Sequence, residues 1–348
     1  MGKTVKIKLF LKTIVITLMF AGNLAAQDPQ FSQFYAAPLY LNPAFTGTCH
    51  QHRLTANYRR QWPNLPSKFI TTAFSYEYFH KKWNSGFGAL LMADQAGGVK
   101  LGTYSGNFMY SYMVRLNQDW VARAGLNFGI TSRSLDNSKL LFGDQLILGG
   151  KYTPPTKDEQ SSKSYTVNYF DVGSGIFVYS KKYWLGFAAG HLNEPNQSLT
   201  EKKSSLPMKF ALHGGVRLPL YNGPIKRAKI AAVAPSFLYK RQGPFDQLDL
   251  GIHFYYEPMM LGFWYRGIPV QKQVDRYINQ DALVFLFGFK YEDFAVGYSY
   301  DLSISKMGPT TGGAHEFSLT YEIFSKVSSK KKKPRRKDMF MPCPTFMK

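Results

Sequence analysis

The chain has 348 residues, 45% hydrophobic and 16% aromatic, which is enough apolar material for a large core and too much for a disordered protein. Two cysteines exclude a disulfide-dense scaffold and fit no zinc ribbon or finger. The formal charge of +21 raises nucleic acid as a partner, but much of the excess is terminal: Lys3, Lys6, Lys8 and Lys12 at the start, and nine Lys or Arg against one Asp from Lys326 onward.

The first element is an export signal. Residues 1–12 are basic, residues 9–21 are apolar, and Leu24-Ala25-Ala26 ends in small side chains. Residues 1–26 therefore read as a signal peptide cleaved before Gln27. The alternative is an N-terminal membrane anchor, but the apolar run is shorter than the roughly 20 residues of a spanning helix. No Cys follows the run closely, which argues against a lipoprotein. No later apolar run is long enough to cross a bilayer as a helix. Export removes nucleic acid from the candidate partners.

Residues 27–52 show neither a helical nor a strand period. They are rich in Pro and aromatics: Phe31, Phe34, Tyr35, Pro38, Tyr40, Pro43 and Phe45. That content argues for burial over a disordered leader.

From Arg53 the chain alternates in period two. Leu54, Ala56 and Tyr58 oppose Thr55, Asn57 and Arg59; Ile70, Thr72, Phe74 and Tyr76 oppose Thr71, Ala73 and Ser75. The same alternation recurs along Thr103–Leu116, Trp120–Arg133, Gln247–Tyr256, Phe294–Ser305 and Glu316–Ile323. About 14 such segments, each roughly 10–15 residues long, fit between residues 53 and 325. Short turns such as 80–82, 117–119, 180–182 and 292–293 separate some of them; longer polar loops are expected at 135–165, 193–206 and 267–280. The reading is an all-β chain, a transmembrane antiparallel β-barrel of about 14 strands, with short periplasmic turns and long outer loops. A soluble sandwich has strands nearer 5–6 residues, and no repeat period suggests propeller blades. An even strand count puts both ends of the barrel on the periplasmic side. Ahead of such a barrel, residues 27–52 either enter the lumen as a plug or lie across its periplasmic mouth.

Arg59, Arg123, Arg133 and Arg217 fall on lumen faces and would suit an anion-preferring pore. His213 and His253 share those faces, where a hydrogen-bonded structural role is the commoner one. No phosphate loop, His-Glu-x-x-His run or Gly-x-Ser-x-Gly elbow occurs, so neither enzyme nor cofactor is indicated. After residue 325 the composition changes to a basic tail, 326–348, with Lys330–Lys333, Arg335 and Arg336 ahead of an apolar end. It reads either as a solvated linker or as a docking tail. Spacing alone leaves a Cys49–Cys343 disulfide open.

Several segments together resemble the PorP/SprF family of type IX secretion system membrane proteins. They are Gln27-Asp28-Pro29-Gln30-Phe31-Ser32-Gln33-Phe34-Tyr35 with Pro38-Leu39-Tyr40-Leu41-Asn42-Pro43-Ala44-Phe45-Thr46-Gly47; Arg59-Arg60-Gln61-Trp62; His191-Leu192-Asn193 with Pro195; Gly297-Tyr298-Ser299-Tyr300-Asp301; Gly312-Gly313-Ala314-His315-Glu316-Phe317-Ser318-Leu319; and the ending Pro342-Cys343-Pro344. The resemblance implies an outer-membrane barrel that supports export or anchors the C-terminal domain of surface cargo, gliding adhesins among them. It implies periplasmic partners that include a peptidoglycan-binding lipoprotein. Asp28, Pro29, Phe31, Ser32, Gln33, Tyr35, Asn42, Pro43, Arg335, Arg336, Pro342, Cys343 and Pro344 are then the plug or partner-binding candidates. Gly312, Gly313, His315 and Glu316 are the barrel-closing motif. A structural role is favoured over partner contact for Asn42, Pro43 and the closing motif. A passive porin-like channel is the alternative reading.

Overall fold

Inside a bilayer no water is present to satisfy a sheet edge, so a membrane-crossing sheet must close on itself. The computed structural model describes residues 28–49, 52–67, 69–98, 101–136, 145, 156, 164–200, 203–221, 231–272, 278–305 and 308–323. Its strands are β1 (His52–Gln61), β2 (Phe69–His80), β3 (Ser85–Ala96), β4 (Leu101–Arg115), β5 (Val121–Asp136), β6 (Ser164–Tyr179), β7 (Tyr183–Gly190), β8 (Lys209–Val216), β9 (Leu218–Tyr221), β10 (Ala231–Gln242), β11 (Phe245–Tyr256), β12 (Met259–Lys272), β13 (Ile278–Tyr291), β14 (Phe294–Ser303) and β15 (Ala314–Ile323). Both β8 and β9 pair with β10, as two halves of one strand broken at Arg217. The sheet is therefore a closed antiparallel barrel of 14 strands. Each strand pairs with its neighbours in sequence. β15 closes on β1, with His52 opposite Ile323 and Gln61 opposite Ala314.

The period of two decides which side chain meets which medium. Phe74, Leu91, Phe108, Ile130, Ile176 and Phe285 point outward and stay exposed, forming the lipid-facing surface. Arg53, Thr55, Asn57 and Arg59 alternate with them on β1 and are buried. Among the described residues no helix is long and apolar enough to cross a membrane.

One end of the barrel, the base, carries the start of β1, the end of β15 and the short turns 81–84, 180–182 and 292–293. The other end, the mouth, carries the connections 137–163, 191–208 and 304–313. One expected loop is shorter than read. β12 runs to Lys272 and β13 starts at Ile278, so most of 267–280 is a hairpin, with Gly267 opposite Gln280. The register shifts at Arg266/Gly267, which keeps this polar stretch in the ladder.

Residues 28–49 lie inside the barrel, not across its base. The stretch starts at the mouth, where Asp28 meets Gln242 at the end of β10, and descends to the base, where Gly47 and Thr48 meet Glu77 of β2. It folds as a 3-10 turn at Phe34–Ala36, one α-helical turn at Pro38–Leu41 and a second 3-10 turn at Pro43–Phe45. Proline opens the second and third turns, where a missing N–H costs nothing. Asn42 caps the third by accepting the Ala44 N–H at 2.8 Å. Phe45 packs 4.4 Å from Phe177, and Phe34 stands edge-on to Trp264 at 4.8 Å.

The plug backbone touches the wall where the wall has no side chain. A Cβ on Gly125 of β5 would lie 2.4 Å from the Pro43 carbonyl carbon, and one on Gly175 of β6 would lie 2.1 Å from Asn42 Oδ1. Gly125→Val should therefore unseat the third turn. We expect a barrel that still forms but is about 1–3 kcal/mol less stable, read as a lower midpoint in heat-modifiable gel mobility. An unchanged midpoint would contradict the close approach.

Candidate functional site: the seated plug

A charged side chain inside a barrel must be paired, because desolvation of an isolated ion outweighs most local contacts. The strand register brings the required partners together. On the closing pair, Arg59 of β1 stands directly opposite Glu316 of β15, and both face the lumen. Arg59 Nη1 lies 3.2 Å from Glu316 Oε2, and Nη2 lies 2.8 Å from Asp301 Oδ2 of β14. Arg266 of β12 reaches the same Asp301 oxygen at 2.9 Å and approaches Asp249 of β11 at 3.3 Å. It can do so because β13, between them, presents only Ala282 and Val284 at this level.

The plug completes this cluster. Ser32 donates its hydroxyl to Asp301 Oδ2 at 2.6 Å and accepts from Arg59 at 2.8 Å and Arg266 at 2.7 Å. The backbone N–H groups of Ser32 and Gln33 donate to the two oxygens of Glu316, at 2.7 and 3.0 Å. The Gln33 amide donates to the Glu316 carbonyl at 2.9 Å and accepts from the Ser318 hydroxyl at 2.7 Å. Glu316, read as part of barrel closure, thus also holds the plug. Its two oxygens accept from consecutive backbone N–H groups, which hold the carboxylate as an anion site does.

A second cluster holds the plug at the mouth. Asp28 Oδ2 lies 2.8 Å from His191 Nε2 and 3.1 Å from Lys209 Nζ, while Oδ1 accepts from Gln242 at 3.1 Å. The second ring nitrogen of His191 lies 2.9 Å from Asp171. Burial opposes the charged imidazole, but the hydrogen bonds to Asp171 and Asp28 outweigh it and raise the His191 pKa to about 9. Burial also opposes the Asp28 anion; Lys209 and His191 overcome this and hold its carboxyl well below the ordinary range. Pro29 accepts from the Tyr40 hydroxyl, and Phe31 packs edge-on to Tyr40 at 5.4 Å.

A third cluster ties down the base. Arg53 Nε donates to Glu77 Oε1 at 2.6 Å, while Glu77 Oε2 accepts the Gly47 N–H at 2.6 Å. Arg123 donates to the Gly47 carbonyl at 2.7 Å, and Ser111 to the Thr46 carbonyl at 2.6 Å. Cys49 is buried beside Glu77, and burial followed by that charge pushes its thiol pKa well up.

The remaining sequence candidates sort as follows. Tyr35 is buried against His253, 5.1 Å between ring centres. Asn42 Nδ2 lies 3.2 Å from the Ile176 and Phe187 carbonyls and 3.1 Å from His213 Nε2. Gly312 and Gly313 have φ of 82° and 63°, a conformation that favours glycine, and the Gly313 carbonyl accepts from Trp62 at 2.7 Å. His315 accepts or donates at Tyr298, 2.8 Å away. The arginines assigned to an anion pore are engaged: Arg59 and Arg123 as above, Arg133 with Gln197, and Arg217 over the Tyr255 ring at 5.6 Å. Residues 1–27 and 324–348 lie outside the described residues, and with them the signal-peptide reading, Arg335, Arg336, Pro342, Cys343 and Pro344. Sequence reasoning missed Glu77, Lys209 and Arg266 as plug ligands and Asp249 as the wall partner of Arg266. Inward charges on the strands were the available signal, since buried charges must find partners. Among the described residues no group of three His, Cys, Asp or Glu could hold a metal ion.

The family model described as type IX secretion system membrane protein PorP/SprF matches residues 23–321, nearly the whole chain, and the chain belongs to that family. No curated protein matches it. Among solved structures, the Ralstonia pickettii toluene transporter TbuX aligns with TM-score 0.44 and 10% identity over 83% of this chain and 94% of that one. A Pseudomonas aeruginosa FadL homologue aligns with TM-score 0.43 and 12% identity over 87% and 96%. BamA from Haemophilus ducreyi aligns with TM-score 0.39 and 8% identity over 78% and 70%.

Two outcomes follow from the clusters. Glu316→Gln turns one acceptor oxygen into an amide that faces a backbone N–H. It should weaken plug seating by about 1–3 kcal/mol, measured as faster digestion of residues 28–49 in an otherwise protease-resistant barrel. The His191 contribution is complete below its ordinary pKa of 6.5 and is lost as pH rises through about 9. A spin label at Pro29→Cys, in a Cys343→Ser background, should gain mobility across that interval. His191→Gln should make the label's mobility independent of pH there.

Proposed function

We propose that this PorP/SprF family barrel is a non-catalytic anchor in the outer membrane that supports export or surface retention of type IX cargo. One observation carries the reading: the lumen is occupied by the chain's own residues 28–49, tied to the wall by three ionic clusters, two buried and one half-buried at the mouth. A pore needs an open, solvated lumen, and here the inward arginines are already bound to carboxylates, carbonyls or side chains. A filled barrel suits load-bearing, since wall and plug must loosen together. The cargo's C-terminal domain would meet the mouth, where the long connections lie. Because residues 28–49 are held in the lumen, periplasmic components, including a peptidoglycan-binding lipoprotein, would be contacted through the tail 326–348, with Arg335, Arg336 and the Pro342-Cys343-Pro344 end as its candidates. A signal peptide cleaved before Gln27 would free the start of the plug to enter the closing barrel.

Affinity purification from native outer membranes, in mild detergent, tests this. The full chain should bring down a large surface protein together with periplasmic type IX components. A chain truncated after Ser325 should insert, retain the surface protein and lose the periplasmic components. Recovery of the barrel alone, with a large steady conductance in planar bilayers, would favour the passive channel instead.

A further inference from the structure

The plug does not fill the lumen evenly. Between it and the wall of β3–β8 lies a cavity of about 140 Å3. Its apolar lining includes Leu39 and Leu41 of the plug and Leu90, Met92 and Met109 of the wall. Opposite them the wall presents Gly173, Ala188 and Ala211, where larger side chains would close the space. Protein interiors are normally packed without voids of this size, and each unfilled wall forfeits its dispersion contacts.

Asp28, His191 and Lys209 line the cavity toward the mouth, and Pro43 lines it from the plug. There the plug backbone lies directly on Gly125, with no room even for a methyl group.

Its polar wall has an unmatched acceptor. Asn107 donates to Ser105 at 3.3 Å, and Asn127 donates to Asn107 Oδ1 at 3.3 Å. The buried Oδ1 of Asn127 has no hydrogen-bond partner among the described residues. The rim charges are paired with one another, Asp28 with His191 and Lys209, so the cavity offers no spare charge to an ion. A cavity of about 150 Å3 lined by apolar side chains is large enough to take benzene.

We propose that this cavity binds a small neutral molecule of about benzene's size, mostly apolar and carrying one hydroxyl or N–H donor that meets Asn127. The site is separate from the cargo and tail contacts, and its test does not depend on them.

The test is a fluorine NMR titration of the purified full chain in detergent, with 4-fluorophenol and with fluorobenzene as the probe lacking a donor. Ala188→Phe fills the cavity from β7, and Thr103→Phe fills it from β4 near the mouth; either folded variant controls for partition into the micelle. We expect saturable broadening of both probes in the wild type and its loss in the filled variants. Asn127→Leu should weaken 4-fluorophenol about fivefold to tenfold while leaving fluorobenzene within about twofold. An identical response in the wild type and a folded, filled variant would overturn the site. Equal losses of both probes in Asn127→Leu would overturn the assigned donor contact.

Discussion

The guanidinium groups of Arg59 and Arg266, almost wholly excluded from solvent, must keep oxygen acceptors within bonding distance. The barrel wall supplies Asp249, Asp301 and Glu316, and the plug supplies Ser32. None of these groups is satisfied by its own strand alone. Arg59 and Asp301 are 242 residues apart, and Ser32 and Glu316 are 284 apart. The closing register, the path of the plug and the identity of the inward residues therefore form one solution and cannot be varied independently. Glycines at the plug contacts belong to the same solution, because the wall must step back where the plug backbone passes.

This arrangement also separates two kinds of barrel. An open pore leaves its inward charges to water and permeant ions. Here a carboxylate, a carbonyl or an amide of the same chain occupies that role at the mouth, the middle and the base. The barrel belongs to the PorP/SprF family of type IX secretion system membrane proteins. The lumen of this chain is instead taken up by contacts between its own plug and wall.

Much of the fold was legible in the sequence because side-chain alternation is a local signal. It placed Arg59 and Arg123 inward, Leu54 and Phe74 outward, and the long connections at one end. The hairpin at β12–β13 was read as a loop, since polar residues beyond the bilayer look the same whether paired or free. The chemistry of the inward charges was not legible. Alternation gives the face of Arg59 but not that Asp301 stands beside it, because that contact depends on a closure hundreds of residues long. The plug candidates Ser32, Gln33 and Asn42 were drawn from a family resemblance, and their actual ligands follow only from the register. His191 and Asp28 illustrate the limit. Both lay in quoted motifs, yet nothing in their local sequence joins them.

The measurement that bears most directly on this account is hydrogen exchange at the Ser32 and Gln33 amides of the intact protein, the two N–H groups held by Glu316. The account predicts protection comparable with that of the amides of β1 and β15, because release requires breaking the buried cluster. Exchange at the rate of an exposed leader, with the strand amides still protected, would contradict it.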